Sequence, residues 1–274
     1  CRPLWAGEPP GGGGPTGPLR LDDRGAVSNI AAPMLEVVRP ARPNGAAMLV
    51  AGGGGYKRIE VGKEADPAAH WLAAHGITAY ILYYRLPGED WGAGPLAPLQ
   101  DAQRAIRLIR AEVRGPVGAL GFSAGGHLLG LAATRSAFAA YQPQDAFDDS
   151  AARFDEVALI YPVVTLEPPF DHTSTRVRLV GRHPSPGDSV EWSVQTHVRR
   201  NCPPMFLVQA EDDPISNIAN TAMLADACID AGVRVERHVL RSGGHGFGMG
   251  HPDSPTEVWP QWYASWLRTQ GIDV

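Results

Sequence analysis

Three short stretches of the chain set a reactive side chain beside glycine or proline at the end of an apolar run. Gly121-Phe122-Ser123-Ala124-Gly125 follows Val117–Leu120, Glu211-Asp212-Asp213-Pro214 follows Met205–Gln209, and Gly243-Gly244-His245-Gly246 follows Val233–Leu240. A serine hydroxyl is a poor nucleophile until a base takes its proton, and an imidazole does so best when a carboxylate holds its other nitrogen. Serine, acid and histidine in this order could therefore transfer an acyl group through a covalent serine intermediate. Ser123 is the candidate nucleophile and His245 the candidate base. Among the adjacent acids Asp213, next to Pro214, is the preferred partner of His245, with Asp212 the alternative.

Such chemistry creates an oxyanion, which backbone N–H groups must meet. Ala124 follows the nucleophile at the start of a helix, where N–H groups are free and the helix dipole favours negative charge. Further donors are expected from Gly52–Gly55, which lies between a strand and a helix, so Gly54, Gly55 and Ala124 are the candidate oxyanion hole. The Gly11–Gly14 run has no such setting and is read as surface chain.

These loops need a scaffold that brings strand ends together. Met34–Val38 and Ala46–Val50 read as strands, and the Asn44-Gly45 between them is a hairpin signal. Lys63–His75 reads as a helix closed by Gly76, and Ile77–Tyr84 as a buried strand. Leu99, Ala102, Ile106, Ile109 and Val113 recur at helical spacing over Leu96–Val113, with Arg104, Arg107 and Arg110 assigned to other faces. Strands at 117–121, 157–161, 205–209 and 233–240 alternate with helices at 123–133, 218–231 and 256–269. That alternation predicts an α/β fold, a mostly parallel, doubly wound central sheet with helices on both faces and sites at the C-terminal strand ends. Residues 1–274 are expected to form a single domain, with 1–26 an extended arm and 162–203 a small irregular, Pro-rich insertion.

Composition narrows the classes. Of 274 residues 44% are hydrophobic and 19% charged, and the net charge is −5 with no basic block, which excludes a nucleic-acid partner. No apolar run approaches the roughly 18 residues of a membrane span. No P-loop or metal-ligand spacing is present, so neither cofactor nor metal is expected, and His127 reads as packed within the helix after Ser123. Cys202 and Cys228 fall at ends that strand and helix would bring together, where a disulfide could form, although free thiols are the preferred reading. A mature N-terminal Cys1 followed by Gly/Pro-rich chain would suit an exported, lipid-anchored protein, and a trimmed terminus suits it equally.

With these residues in hand the chain resembles the acetyl-xylan-esterase-like branch of the α/β-hydrolase superfamily. The resemblance runs through PLW at 3–5, GGGY at 53–56, YRLP at 84–87, GFSAGGHL at 121–128, YPV at 161–163, PPMFLVQAEDDP at 203–214 and GGHGFG at 243–248. It implies an α/β-hydrolase fold, the triad Ser123, Asp213 and His245, and removal of acetyl groups from xylan or its oligosaccharides. A general short-chain carboxylesterase or a formamidase-like hydrolase is the alternative on the same triad. Two departures stand out: Gly52 occupies the position where hormone-sensitive-lipase relatives carry histidine, and Pro214-Ile215-Ser216-Asn217 lacks the Val-Pro these hydrolases often have after the acid.

Overall fold

A computed structural model describes residues 1–274. Its ten strands are β1 (Arg2–Pro3), β2 (Arg20–Leu21), β3 (Val27–Ser28), β4 (Met34–Val38), β5 (Ala47–Ala51), β6 (Thr78–Tyr83), β7 (Val117–Phe122), β8 (Val157–Ile160), β9 (Met205–Ala210) and β10 (Val235–Leu240). Its helices are α1 (Asp66–Ala74), α2 (Leu96–Glu112), α3 (Ser123–Thr134), α4 (Ser174–Val180), α5 (Pro186–Glu191), α6 (Ala219–Asp230) and α7 (Trp259–Thr269). Eight strands form one sheet in the order β1-β4-β6-β5-β7-β8-β9-β10, while β2 and β3 pair separately. From β6 to β10 every pairing is parallel, and β4 is antiparallel to β6.

The order reverses around β5. From β5 the chain crosses through α1 to β6 on one side, and from β6 through α2 to β7 on the other. A parallel sheet opens a crevice at such a point, beyond the C-terminal ends of its strands. Helices α1 and α7 meet on one face, where Trp71 stacks on Tyr263 with centroids 5.8 Å apart. Helices α2, α3 and α6 cover the other. The central strands AMLVA (β5), VGALGF (β7) and VALI (β8) are buried at every position, as strands covered on both faces must be.

The hairpin expected at Asn44-Gly45 does not form. β6 lies between β4 and β5, pairing antiparallel with the first and parallel with the second. β5 is apolar on both faces and takes a central place with two parallel neighbours, whereas β4 is only half-buried and sits near the edge. Asn44 instead ties the connection down, its N–H donating to the Gly76 carbonyl and its Oδ1 accepting from the Ala46 N–H.

The N-terminal arm is more deeply integrated than expected, and one arginine explains why. Leu4 and Trp5 are buried. The Trp5 indole N–H donates to Asp101, which also accepts from the backbone N–H and Nε of Arg85, all within the protein interior. Arg85 is fully buried, donates on to Pro10, Ala97 and Gln100, and lies 5.1 Å from the Trp91 ring centroid. The PLW and YRLP blocks thus form one structural joint. Arg104 also departs from expectation: it is buried, bound by Asp145 and Asp148 beyond the end of α3. The insertion after β8 is less irregular than expected, carrying α4, α5 and a 3-10 turn at Val194–His197. Cys202 and Cys228 are unbridged.

Candidate active site

Ser123 stands at the sharp corner between β7 and α3, with φ +50. An L residue adopts this left-handed conformation only where surroundings enforce it. The flanking glycines let the corner pack. A Cβ on Gly121 would lie 2.7 Å from the Gly125 carbonyl oxygen, and one on Gly125 would lie 2.2 Å from the Ala51 oxygen. β7 and α3 therefore press against each other and against the end of β5 with no room for side chains, and the hydroxyl is turned up into the crevice.

From there a hydrogen-bonded chain runs inward. Ser123 Oγ is 2.7 Å from His245 Nε2, and His245 Nδ1 is 2.8 Å from Asp213 Oδ2. A carboxylate only accepts, so Nδ1 carries the proton and Nε2 is left to accept from the serine hydroxyl. The other Asp213 oxygen accepts from the N–H groups of Ile215 and Ser216, each at 2.8 Å. Asp213 is buried, while its exposed neighbour Asp212 accepts from the N–H groups of Gly243 and Gly244. The two acids thus divide the work: Asp213 holds the imidazole and Asp212 holds its loop. In place of Val-Pro, Ile215 lines the pocket and Ser216 donates to the Pro162 carbonyl at 2.6 Å.

The glycine loop after β5 is held from below. Tyr84 donates to the Gly52 carbonyl, the Glu60 N–H to the Gly53 carbonyl and the Lys57 N–H to the Gly54 carbonyl. The Gly53 N–H is taken by Glu64 Oε2 at 2.6 Å. Those of Gly54 and Gly55 have no acceptor in the protein, and both residues border the pocket with Ser123 and His245. Gly54 (φ +109) and Gly55 (φ +62) need their freedom, because a Cβ would meet the Arg58 carbonyl at 2.3 Å on the first and the Ser174 hydroxyl on the second. Ala124 lies in the first turn of α3, where helix N–H groups have no intrahelical acceptor.

Two buried groups that the sequence reading left without a role connect these loops. Glu64 also accepts from the Tyr161 hydroxyl at 3.0 Å, and that hydroxyl accepts from the Gly248 N–H at 3.0 Å. The Tyr161 ring lies edge-on to His245, centroids 4.9 Å apart. Burial pushes the Glu64 carboxyl up to about 7, against the opposing effects of the Gly53 N–H and the Tyr161 hydroxyl. Tyr161 does stand in the YPV block, but an acid in an otherwise helix-like run gives no sign that it turns toward a loop eleven residues earlier.

His127 is fully buried, as expected for that helix. Its Nε2 donates to the Trp192 carbonyl at 2.8 Å, which leaves Nδ1 to accept from the Tyr56 hydroxyl at 3.0 Å. Burial lowers it to about 4, so it is neutral and structural. The pocket above Ser123 is about 290 Å³ and has only two hydrophobic linings, Val163 and Ile215. Thr173, Ser174 and Thr175 of the insertion close its far side. Of the aromatic and histidine side chains in the insertion, His172 reaches an adjoining cavity, whereas Phe170, His183, Trp192 and His197 line neither.

Comparison with known proteins agrees with this architecture. A family model described as BD-FAE matches residues 40–228. The chain is 29% identical over 221 residues to an acetylxylan esterase of Xylanibacter ruminicola, covering 77% of this chain and 43% of that protein. It is 30% identical over 215 residues to an endo-1,4-beta-xylanase B of Butyrivibrio fibrisolvens, covering 75% and 33%. It thus spans less than half the length of these curated relatives. The solved acetyl ester-xyloside bifunctional hydrolase from Caldicellulosiruptor lactoaceticus superposes with a TM-score of 0.80 at 27% identity, covering 100% of this chain and 97% of that one. With most of its length matched by the family model and its sheet superposing on a solved hydrolase of nearly equal length, the chain belongs to the BD-FAE family of α/β hydrolases.

Proposed function

We propose that this chain is a serine carboxylic ester hydrolase that removes acetyl groups from xylan or xylo-oligosaccharides through an acyl-enzyme. The observation that carries the reading is the Ser123–His245–Asp213 hydrogen-bond chain beside the unspent N–H groups of Gly54 and Gly55, at the floor of a small polar pocket. Ser123 Oγ attacks the ester carbonyl as His245 Nε2 takes its proton, and Asp213 stabilises the imidazolium. The N–H groups of Gly54, Gly55 and Ala124 receive the charge on the carbonyl oxygen. As the intermediate collapses, His245 protonates the departing sugar oxygen, leaving acetyl on Ser123. Water then enters, His245 removes its proton, and a second collapse releases acetate and restores the hydroxyl.

A pocket of about 290 Å³ with polar walls suits a short acyl group on a sugar better than a long apolar chain. The acetylxylan esterase relative and the acetyl ester-xyloside hydrolase fold support the same substrate class. The test is acetate release from acetylated xylo-oligosaccharides beside a p-nitrophenyl acyl series. Ser123-dependent acetate release that falls off sharply beyond short acyl chains is expected. Turnover of aryl esters alone would discard the xylan assignment in favour of a general short-chain esterase.

A further inference from the structure

The chain contains only two lysines, Lys57 and Lys63, and both border the pocket above Ser123. Lys57 also forms part of a second cavity, of about 690 Å³, that shares Thr173 and Ser174 with the first. Its other charged or titratable linings are His172, Arg178 and Arg182, and no carboxylate borders it. Across both cavities five lysine and arginine side chains face two carboxylates. Of those two, Glu60 is bound to Arg58 at 2.6 Å and Glu64 is buried beneath the glycine loop. Glu89, which lines a smaller neighbouring cavity together with Lys57 and Arg178, accepts from the N–H groups of Asn29 and Ile30 and forms no ion pair with either cation. Lys57, Lys63, Arg178 and Arg182 thus have no acidic partner, and all four are exposed.

The protein as a whole carries −5, whereas the linings of these two cavities carry more basic than acidic side chains. A neutral acetylated sugar gains nothing from such an excess. A ligand with its own negative charge gains attraction on approach and charge-assisted hydrogen bonds once seated, and a planar guanidinium is well matched to a carboxylate. The shared wall of Lys57, Thr173 and Ser174 lets one oligosaccharide occupy both cavities, an acetyl ester over Ser123 and a second unit beside Arg178 and Arg182.

We propose that the second cavity is a subsite for a carboxylate-bearing sugar, so that the preferred substrate is an acetylated acidic oligosaccharide. The inference rests on the ester-hydrolase reading above. The carboxylate could belong to a glucuronate branch on xylan or to a galacturonate backbone, and the test separates the two.

Acetate release is measured on three substrates: acetylated xylo-oligosaccharides bearing glucuronate, the same oligosaccharides without it, and acetylated oligogalacturonides. Several exposed charge pairs acting together predict about a tenfold advantage in kcat/KM for an acidic substrate over the neutral one, shrinking as salt shortens the Debye length. The double variant Arg178→Gln/Arg182→Gln should bring the ratio of acidic to neutral turnover close to one. Both side chains are exposed, so its Tm serves as the folding control. A preference for glucuronate-bearing chains that the double variant loses supports the subsite on xylan. A preference for galacturonides that it loses supports the subsite and overturns the xylan assignment. Equal turnover of acidic and neutral substrates in the wild type overturns the subsite and leaves the esterase reading intact. A preference that survives in the double variant overturns its location. No acetate from any of the three, with p-nitrophenyl acetate still cleaved, overturns the subsite and the xylan assignment and leaves a general short-chain esterase.

Discussion

Glu64 Oε2 accepts the Gly53 N–H at 2.6 Å, beneath the loop whose next two residues, Gly54 and Gly55, border the Ser123 pocket. Through its other oxygen the same carboxyl holds Tyr161, and Tyr161 holds Gly248 in the histidine loop. One buried side chain therefore ties the glycine loop after β5 to the histidine loop. Glu64 is a positioning residue in this account, since it acts on the reaction through Gly53 and Tyr161.

Glu64→Ala should lower kcat by roughly 10- to 100-fold with a smaller effect on KM, as expected when reacting groups shift by a fraction of an ångström. Glu64→Gln should keep more activity, because its amide oxygen still accepts from Gly53. The pair also makes a stability prediction. Burial raises the Glu64 carboxyl to about 7 from an ordinary 4.5, so the fold favours the protonated form. That stability is fully present below about pH 4.5 and is lost as pH rises through about 7, by about 3 kcal/mol as an upper order of magnitude. Thermal melts across this window should show the wild type falling relative to Glu64→Gln; parallel curves would contradict it.

Asp213 and Asp212 are adjacent in sequence yet predict different losses. Asp213→Asn leaves His245 with the wrong tautomer and should lower kcat by about 10⁴-fold. Asp212→Ala removes the acceptor for Gly243 and Gly244 and should cost less than about 100-fold, with a lower Tm. Steady-state kinetics on p-nitrophenyl acetate separates them, and equal losses would show that the acids act as one unit.

Glu156 is fully buried near Tyr263, one of its oxygens has no partner, and burial holds its carboxyl well above the ordinary range. A raised carboxyl stabilises the fold below its unfolded-state value and ceases to do so as pH climbs through the folded-state one. Glu156→Gln should therefore raise Tm at pH 8 to 9 and lose that advantage toward pH 4. A melt series on the two proteins checks the sign.

Arg85 and Asp101 form a fully buried ion pair that also fastens Trp5 and Pro10. Arg85→Met strands the Asp101 charge and should cost about 3–5 kcal/mol, whereas Arg85→Met combined with Asp101→Leu should recover most of it. Urea unfolding measures both, and a double variant no better than the single would show that the arm depends on the charges themselves.

The elbow serine, the histidine loop and the alternation of strands and helices were legible because each rests on local signals: glycine where backbones touch, and apolar runs where strands are buried. Asp213 rather than Asp212 lies within hydrogen-bond reach of His245, and the proline that follows it is the one local sign of this in the sequence. What the sequence did not show depends on contacts between distant segments. Asn44-Gly45 carries a hairpin signal, yet strand order is decided by which strand is apolar on both faces, and that favoured β6 beside β4. Arg104 looks like a solvent residue on a helical wheel, and only the fold brings Asp145 and Asp148 against it. Glu64 and Tyr161 are 97 residues apart, and no periodicity records their meeting.

The central claim is that Ser123, activated by His245, is the residue that carries the acyl group. Intact-mass analysis after treatment with an aryl fluorophosphonate, followed by peptide mapping, tests it directly. The account predicts one stoichiometric adduct, on the peptide containing Ser123, absent from Ser123→Ala and slowed by orders of magnitude in His245→Ala. An adduct on another residue, or acetate release by Ser123→Ala at the wild-type rate, would contradict it.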